Sequence, residues 1–218
     1  MFFLGHMVWA YVWAAMFAGK RKGKLFMPLV LMLGIAPDID LLLRGFSVIH
    51  HTFTHSFFFW LIVFAPFFAV FRPKSVPYFI AVAQHFAFGD FLVGNVMIFW
   101  PFSQSYFGFN IAMTSMLDVA LETAGLLLAA GISYYKNDLR RILSIDIRNL
   151  LMFLPLLALL TSMLIFAVDW PLIPLVAYIW SRKLLTIIVL GHIILVIILA
   201  LSTLQGLRRL FNNREQHE

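Results

Sequence analysis

Cysteine is absent from the 218 residues, so the chain has neither a disulfide framework nor a thiolate metal site. His, Asp and Glu remain as its strong metal ligands. Charge is also scarce. Only 12% of residues are Asp, Glu, Lys or Arg, against about 25% in an ordinary soluble domain. No internal repeat or low-complexity segment is evident. What is abundant is apolar surface, at 62% of residues. Apolar segments occupy most of the chain, and a spanning helix needs roughly 20 mostly apolar residues. The composition therefore points to an all-α, polytopic transmembrane bundle, read as a single domain over residues 1–218. A net charge of +6 in a soluble protein would suggest nucleic acid. Here the basic residues crowd short loops, where membrane orientation explains them, and no nucleic-acid partner is expected.

Seven spans are expected: Phe2–Gly19, Leu25–Leu43, Phe57–Phe71, Tyr78–Trp100, Met116–Tyr135, Leu150–Val168 and Leu184–Leu204. The third is short and carries Pro66. Trp170–Trp180 is apolar but too short to cross alone, and Pro171 and Pro174 suit an interfacial or re-entrant segment. The tail from Arg208 to Glu218 is polar. The basic cluster Lys20, Arg21, Lys22 and Lys24 follows the first apolar stretch instead of preceding it, the reverse of a secretory signal, so that stretch is read as a span. One set of alternate loops carries thirteen Lys and Arg, and the other carries three: Arg44, Arg182 and Lys183. That bias places the N-terminus outside and the C-terminus in the cytoplasm. Trp9, Trp100, Trp170 and Trp180 fall at span ends, as headgroup-level aromatics do.

An ionisable residue at mid-helix costs at least about 2.5 kcal/mol to insert, so such residues have a partner or a task. The first 130 positions hold five acidic residues, Asp38, Asp40, Asp90, Asp118 and Glu122, each within or at the end of an apolar segment. They also hold five of the seven histidines: His6, His50, His51, His55 and His85. The topology, derived from Lys and Arg alone, sends most of this set to the outer face. In Ala36-Pro37-Asp38-Ile39-Asp40 the proline interrupts the helix, so two carboxylates can converge from non-helical backbone. Such backbone is tolerated at membrane depth only where it lines a cavity or is buried in protein. His51 and His55 are four apart, as are Asp118 and Glu122, and on a helix each pair shares a face. Mixed imidazole and carboxylate ligands suit zinc, with manganese, magnesium or iron as alternatives, and so many groups can hold more than one ion. His192, alone in the seventh span, reads as an interhelical hydrogen bond. Asp118 also suits a helix N-cap.

Pro37-Asp38-Ile39-Asp40, His50-His51-Thr52-Phe53-Thr54-His55-Ser56, His85 with Asp90, and Trp100-Pro101-Phe102 together resemble the YdjM-like family of putative membrane-bound metal-dependent hydrolases. His6 matches that family's early histidine. The resemblance covers residues 1–125, and the family is grouped distantly with zinc-dependent phospholipase C and P1-type nucleases. It implies His6, Asp38, Asp40, His50, His55, His85 and Asp90 as ligand or catalytic residues. His51 stands where the family usually has arginine, so an imidazole would replace a phosphate-binding guanidinium. His85 and Asp90 are five apart where four is expected. On an α-helix five residues turn the second side chain by about 140° from the first. A local bulge at Gly89 would restore the shared face.

The leading expectation is therefore a membrane-embedded metal-dependent hydrolase in the plasma membrane. Its site opens outside, and its substrate is a lipid or lipid-linked phosphoester at headgroup depth. Asp38, Asp40, His50, His55 and Asp90 lead the ligand set, with His6, His85, Asp118 and Glu122 beside them. Whichever of Asp40 or Glu122 is not a ligand can act as general base. A metal-ion or proton transporter is the alternative, because buried His and Asp also relay ions. A noncatalytic scaffold is the third reading, and it expects no stoichiometric metal.

Overall fold

The computed structural model describes residues 1–18, 24–46, 49–113, 115–169 and 183–214. Lys20, Arg21, Lys22, Arg182, the Trp170–Trp180 segment and the last four residues of the tail lie outside that set. The described residues are mostly helical, with one isolated antiparallel bridge, Val96 to Phe107, and no strand. Among the described residues, four helical stretches are long and apolar enough to cross a membrane: Phe57–Lys74, Val76–Val93, Met116–Lys136 and Thr186–Asn212. Phe3–Phe17 and Ile147–Ser162 are shorter apolar helices. The chain divides into two compact units, Met1–Ala129 and Ala130–Glu218.

In the first unit, α1 (Phe3–Phe17) is buried on nearly every side. It packs against α2 (Met27–Ile35) and α4 (Val76–Gln84). Small residues permit this, as they do where membrane helices meet without a hydrophobic driving force. A Cβ on Gly34 of α2 would lie 2.8 Å from the His6 carbonyl oxygen and 2.7 Å from Ala10 Cβ, so only glycine allows the two backbones so close. Past Ile35 the helix tightens into a 3-10 run, Ala36–Phe46, with Pro37 as its second residue. A 3-10 turn, Phe53–His55, then leads into α3 (Phe57–Phe71), whose first turn is capped by the Ser56 hydroxyl accepting from the Phe59 N–H. Only Trp60 and Phe64 of α3 are buried. They join Phe79, Val82, Phe86 and Val96 in an aromatic core cluster that anchors an otherwise exposed apolar helix.

After α4 the chain makes one π-helical turn, His85–Gly89, and then a short α5 (Asp90–Val93). The Asp90 N–H reaches back to the His85 carbonyl, five residues away. A π turn brings i and i+5 into register, so His85 and Asp90 present one face. α6 (Met116–Lys136) follows an irregular connection. Its Trp9 contact, with the indole N–H donating to the Leu121 carbonyl at 3.3 Å, holds α6 on α1.

The second unit comprises α7 (Asp138–Ile142), a 3-10 segment Ile147–Met152, α8 (Phe153–Asp169) and α9 (Lys183–Arg214). The Ser202 hydroxyl of α9 donates to the Ile142 carbonyl at 2.6 Å. His192 is buried in α9, with Nδ1 2.9 Å from the Ile188 carbonyl one turn earlier.

Candidate metal centre

The breaks in helical geometry at Ala36, Phe53 and His85 deliver one group of polar side chains to one place. Asp38, His55, His85 and Asp90 are all buried, and one ligand atom from each lies within 4.8 Å of the others. Two further groups adjoin it: Asp38 with Asp40 and His50, and His50 with His51 and His55. Asp38 therefore belongs to two groups, and so do His50 and His55.

The ring nitrogens are not equivalent. His85 Nδ1 lies 2.7 Å from the Gly34 carbonyl, which can only accept, so Nδ1 carries a proton, and in the neutral ring Nε2 presents a lone pair. His50 Nδ1 lies 2.8 Å from Asp40 Oδ1, and its Nε2 faces Asp38 Oδ1 at 3.9 Å. His55 Nδ1 meets the Thr54 hydroxyl at 3.1 Å, and that hydroxyl donates to Asp40 Oδ2 at 2.8 Å. Three imidazoles thus have Nδ1 tied to a backbone carbonyl, a carboxylate or a hydroxyl. Their Nε2 atoms face carboxylates. Metal-binding histidines are oriented in this way by the partners behind them.

What those Nε2 atoms meet is informative. His85 Nε2 stands 2.9 Å from Asp90 Oδ2 and 3.4 Å from Asp38 Oδ1. His55 Nε2 stands 3.2 Å from Asp90 Oδ2 and 3.6 Å from Asp38 Oδ1. Yet His55 Nε2, His85 Nε2 and Asp90 Oδ2 are all buried without a hydrogen-bond partner. Buried polar atoms left unpaired cost about 1–3 kcal/mol each. With neutral rings, the two nitrogen lone pairs and the carboxylate oxygen face one another and repel; positive charge among them, as ring protons or a bound cation, relieves this, and one cation would satisfy all three atoms at once. The donor set, two imidazoles and two carboxylates, suits zinc and other divalent ions. The residues present therefore fit a metal.

The remaining candidates sit around this centre. His6 stacks on His85 with ring centroids 3.8 Å apart, and its Nε2 lies 3.3 Å from Asp90 Oδ1. It lies outside the three ligand groups among the described residues. A Cβ on Gly89 would fall 2.6 Å from His6 Cε1, so the bulge glycine makes room for that ring. His51 adopts a positive φ of 66°, uncommon for a residue with a side chain. Its N–H donates to Asp40 Oδ2 at 3.3 Å and its carbonyl accepts from Met97 N–H at 3.0 Å, which holds the turn. The His51 ring stacks near His50 and reaches Asp90 Oδ2 only at 3.8 Å. Burial brings the His51 imidazole down to about 4, so it is neutral at neutral pH. For His55 burial acts in the same direction, but the surrounding carboxylates of Asp38, Asp40 and Asp90 outweigh it and raise its pKa well above the ordinary value. That cage favours positive charge at His55, whether proton or metal.

Asp118 and Glu122 are fully buried on α6 but join none of the ligand groups among the described residues. Glu122 Oε1 accepts from the Phe2 N–H at 2.6 Å, and its carboxyl packs where Gly5 has no side chain. Thr54 carries part of the centre's organisation and is absent from the sequence-derived candidates. It lies in the same 3-10 turn as His55, but nothing local in the sequence marks its hydroxyl as the link to Asp40.

No family model, curated protein or solved structure matches the chain. The fold and the site define a class: a helical protein with helices long and apolar enough to cross a membrane and a buried His/Asp cluster that could hold a metal ion.

Proposed function

We propose that this chain is a membrane-embedded metal-dependent hydrolase acting on a lipid or lipid-linked phosphoester. The observation that carries the reading is the inward-facing set of unpaired atoms, His55 Nε2, His85 Nε2 and Asp90 Oδ2, beside Asp38. The resemblance of the Pro37–Asp40, His50–Ser56 and His85–Asp90 motifs to YdjM-like proteins supports it. So does the proximity of the cluster to the ends of two membrane-length helices. The full proposal has seven spans, the N-terminus outside, the C-terminus in the cytoplasm, and the site at the outer face of the plasma membrane.

In this reading Asp38, His55, His85 and Asp90 hold a divalent ion, with zinc the best chemical match to the donors. Asp38, Asp40 and His50 offer a second position, with Asp38 shared. A divalent ion supplies Lewis acidity toward a phosphoryl oxygen. The chain's own residues do the rest. Asp40 fixes His50 directly and His55 through the Thr54 hydroxyl, so it acts as a positioning carboxylate. His50 and His51, about a quarter exposed, form the rim through which a substrate headgroup enters. The neutral His51 imidazole is placed to donate a hydrogen bond to a phosphoryl oxygen there. The test is elemental analysis of the purified chain, with turnover of a phospholipid panel measured with and without chelator. Bound divalent metal and chelator-sensitive hydrolysis that is lost in Asp38→Asn are the expected results. Hydrolysis that is absent, or indifferent to both chelation and Asp38→Asn, refutes the proposal.

A further inference from the structure

Residues 94–113 contain no Asp, Glu, Lys, Arg or His. They join the end of Val76–Val93 to the start of Met116–Lys136, both long and apolar enough to cross a membrane. The connection is not helical, yet it exposes large apolar side chains. Phe102 is 78% exposed and Phe109 70%, and Phe99, Tyr106, Phe107 and Met113 are also open. A soluble surface rarely carries so dense an apolar patch without charge.

The connection is also ordered by its own hydrogen bonds. Val96 and Phe107 exchange two backbone bonds, at 2.9 and 3.0 Å. Phe109 N–H donates to the Phe91 carbonyl and Ile111 N–H to the Leu92 carbonyl, at 2.7 and 2.9 Å. These bonds satisfy backbone groups that would otherwise oppose burial in an apolar medium. Two more bonds tie the segment to the metal centre. Met97 N–H donates to the His51 carbonyl at 3.0 Å, and Phe57 N–H donates to the Ile98 carbonyl at 2.9 Å.

We infer that the 94–113 segment is a lipid-binding platform, seated in the headgroup region of the bilayer that its flanking helices cross. A connection between two spans must emerge at a membrane face, where amphipathic rings such as Trp100 and Tyr106 prefer the headgroup layer and Phe side chains bury at the boundary with the acyl chains. Its partner is lipid. The bonds to His51 and Phe57 then fix the His50–His51 rim at headgroup depth. The placement rests on the flanking spans and the exposed rings, and stands apart from the reaction proposed above.

The absence of cysteine makes the test direct. Phe102→Cys and Phe109→Cys, made singly in the full chain, are spin-labelled and reconstituted into phosphatidylethanolamine and phosphatidylglycerol vesicles. Electron paramagnetic resonance power saturation then compares collisions with oxygen, which partitions into lipid, and with a nickel chelate, which stays in water. The thermal unfolding midpoint, matched to the unlabelled protein, reports that each variant is folded; Tyr106→Cys replaces any variant whose midpoint falls. The expected result is an oxygen-to-nickel collision ratio severalfold above that of the free label in buffer. A ratio equal to the free label places the segment in water and overturns the inference. Low collision with both reagents means that protein covers the rings, and that overturns it equally. No turnover is needed, so a chain that hydrolyses nothing still yields the depth.

Discussion

Gly89→Ala is the sharpest perturbation of the centre that leaves every candidate ligand in place. The added Cβ would lie 2.6 Å from His6 Cε1 and 2.7 Å from His6 Nδ1. Carbon atoms pack at about 3.5–4.0 Å, so the ring must retreat by about 1 Å. It has little room to do so. His6 is buried, stacked on His85, and 3.3 Å from Asp90 Oδ1. The displacement therefore passes to His85 and Asp90, both in the buried ligand group. Disturbing the partners that orient metal ligands typically lowers affinity 10–100-fold, or about 1.4–2.8 kcal/mol. Overpacking itself adds about 1–3 kcal/mol of destabilisation. The assay is a chelator-competition titration of purified protein, with thermal unfolding in parallel. Gly131→Ala is the matched control, because a Cβ there meets nothing within 4 Å. Wild-type metal affinity in Gly89→Ala, with the fold intact, would show that the bulge and His6 do not shape the centre, and the geometric argument would fall.

Removing the shared carboxylate is expected to be worse than removing the positioning one. Asp38→Asn should lose bound metal outright, while Asp40→Asn should retain it about 10–100-fold more weakly; the reverse order in a metal titration contradicts the assigned roles. Metal affinity should fall as the pH is lowered, because the raised pKa of His55 lets protons compete for the nitrogen that binds the ion. Titrations across a pH series check the sign, and a flat profile contradicts it. At the left-handed position 51, Gly should be more stable than Ala by about 1 kcal/mol, since only Ala carries the Cβ penalty at a φ of 66°. Equal thermal midpoints for His51→Gly and His51→Ala would show that the turn is unstrained. His192→Leu should leave metal content unchanged, because His192 is hydrogen-bonded within its own helix in the second unit. Metal loss in that variant would reopen an ion-relay reading.

The parts of this architecture legible in the sequence are those set by one residue's chemistry. Pro37 breaks α2, and the carboxylates that follow turn inward on a 3-10 run instead of alternating around an α-helix. The five-residue spacing of His85 and Asp90 makes sense only with an extra residue in the turn, and the π segment ending at Gly89 supplies it. Long-range pairing was not legible. Asp118 and Glu122 share a helix face, as their spacing requires, but that face meets the start of α1, where the Phe2 amide takes up Glu122. Nothing local to 118–122 specifies that partner. Thr54 was equally silent, since its role depends on Asp40 and His55 arriving on opposite sides of its hydroxyl.

The backbone irregularities of the first unit collect at the metal centre, and the reason is energetic. A regular helix satisfies its own amides and spaces its side chains on a fixed spiral. In this chain, 3-10, turn and π segments bring four candidate ligands to within 4.8 Å of one another. The chain leaves α geometry at Ala36, at His51 and at His85 to do so, and each departure is repaired locally. The Gly34 carbonyl takes His85 Nδ1, Asp40 takes the His51 amide, and Met97 donates to the His51 carbonyl. In an apolar surrounding, unrepaired backbone groups would cost several kcal/mol each. The repairs therefore fix the ligands and satisfy the backbone with the same bonds. The Thr54 hydroxyl, which links Asp40 to His55 Nδ1 side chain to side chain, gives the matching test: Thr54→Val removes that link without touching a ligand, and should weaken metal binding and lower the thermal midpoint together. If either moves without the other, the coupling between the bonds behind the ligands and the stability of the fold is absent.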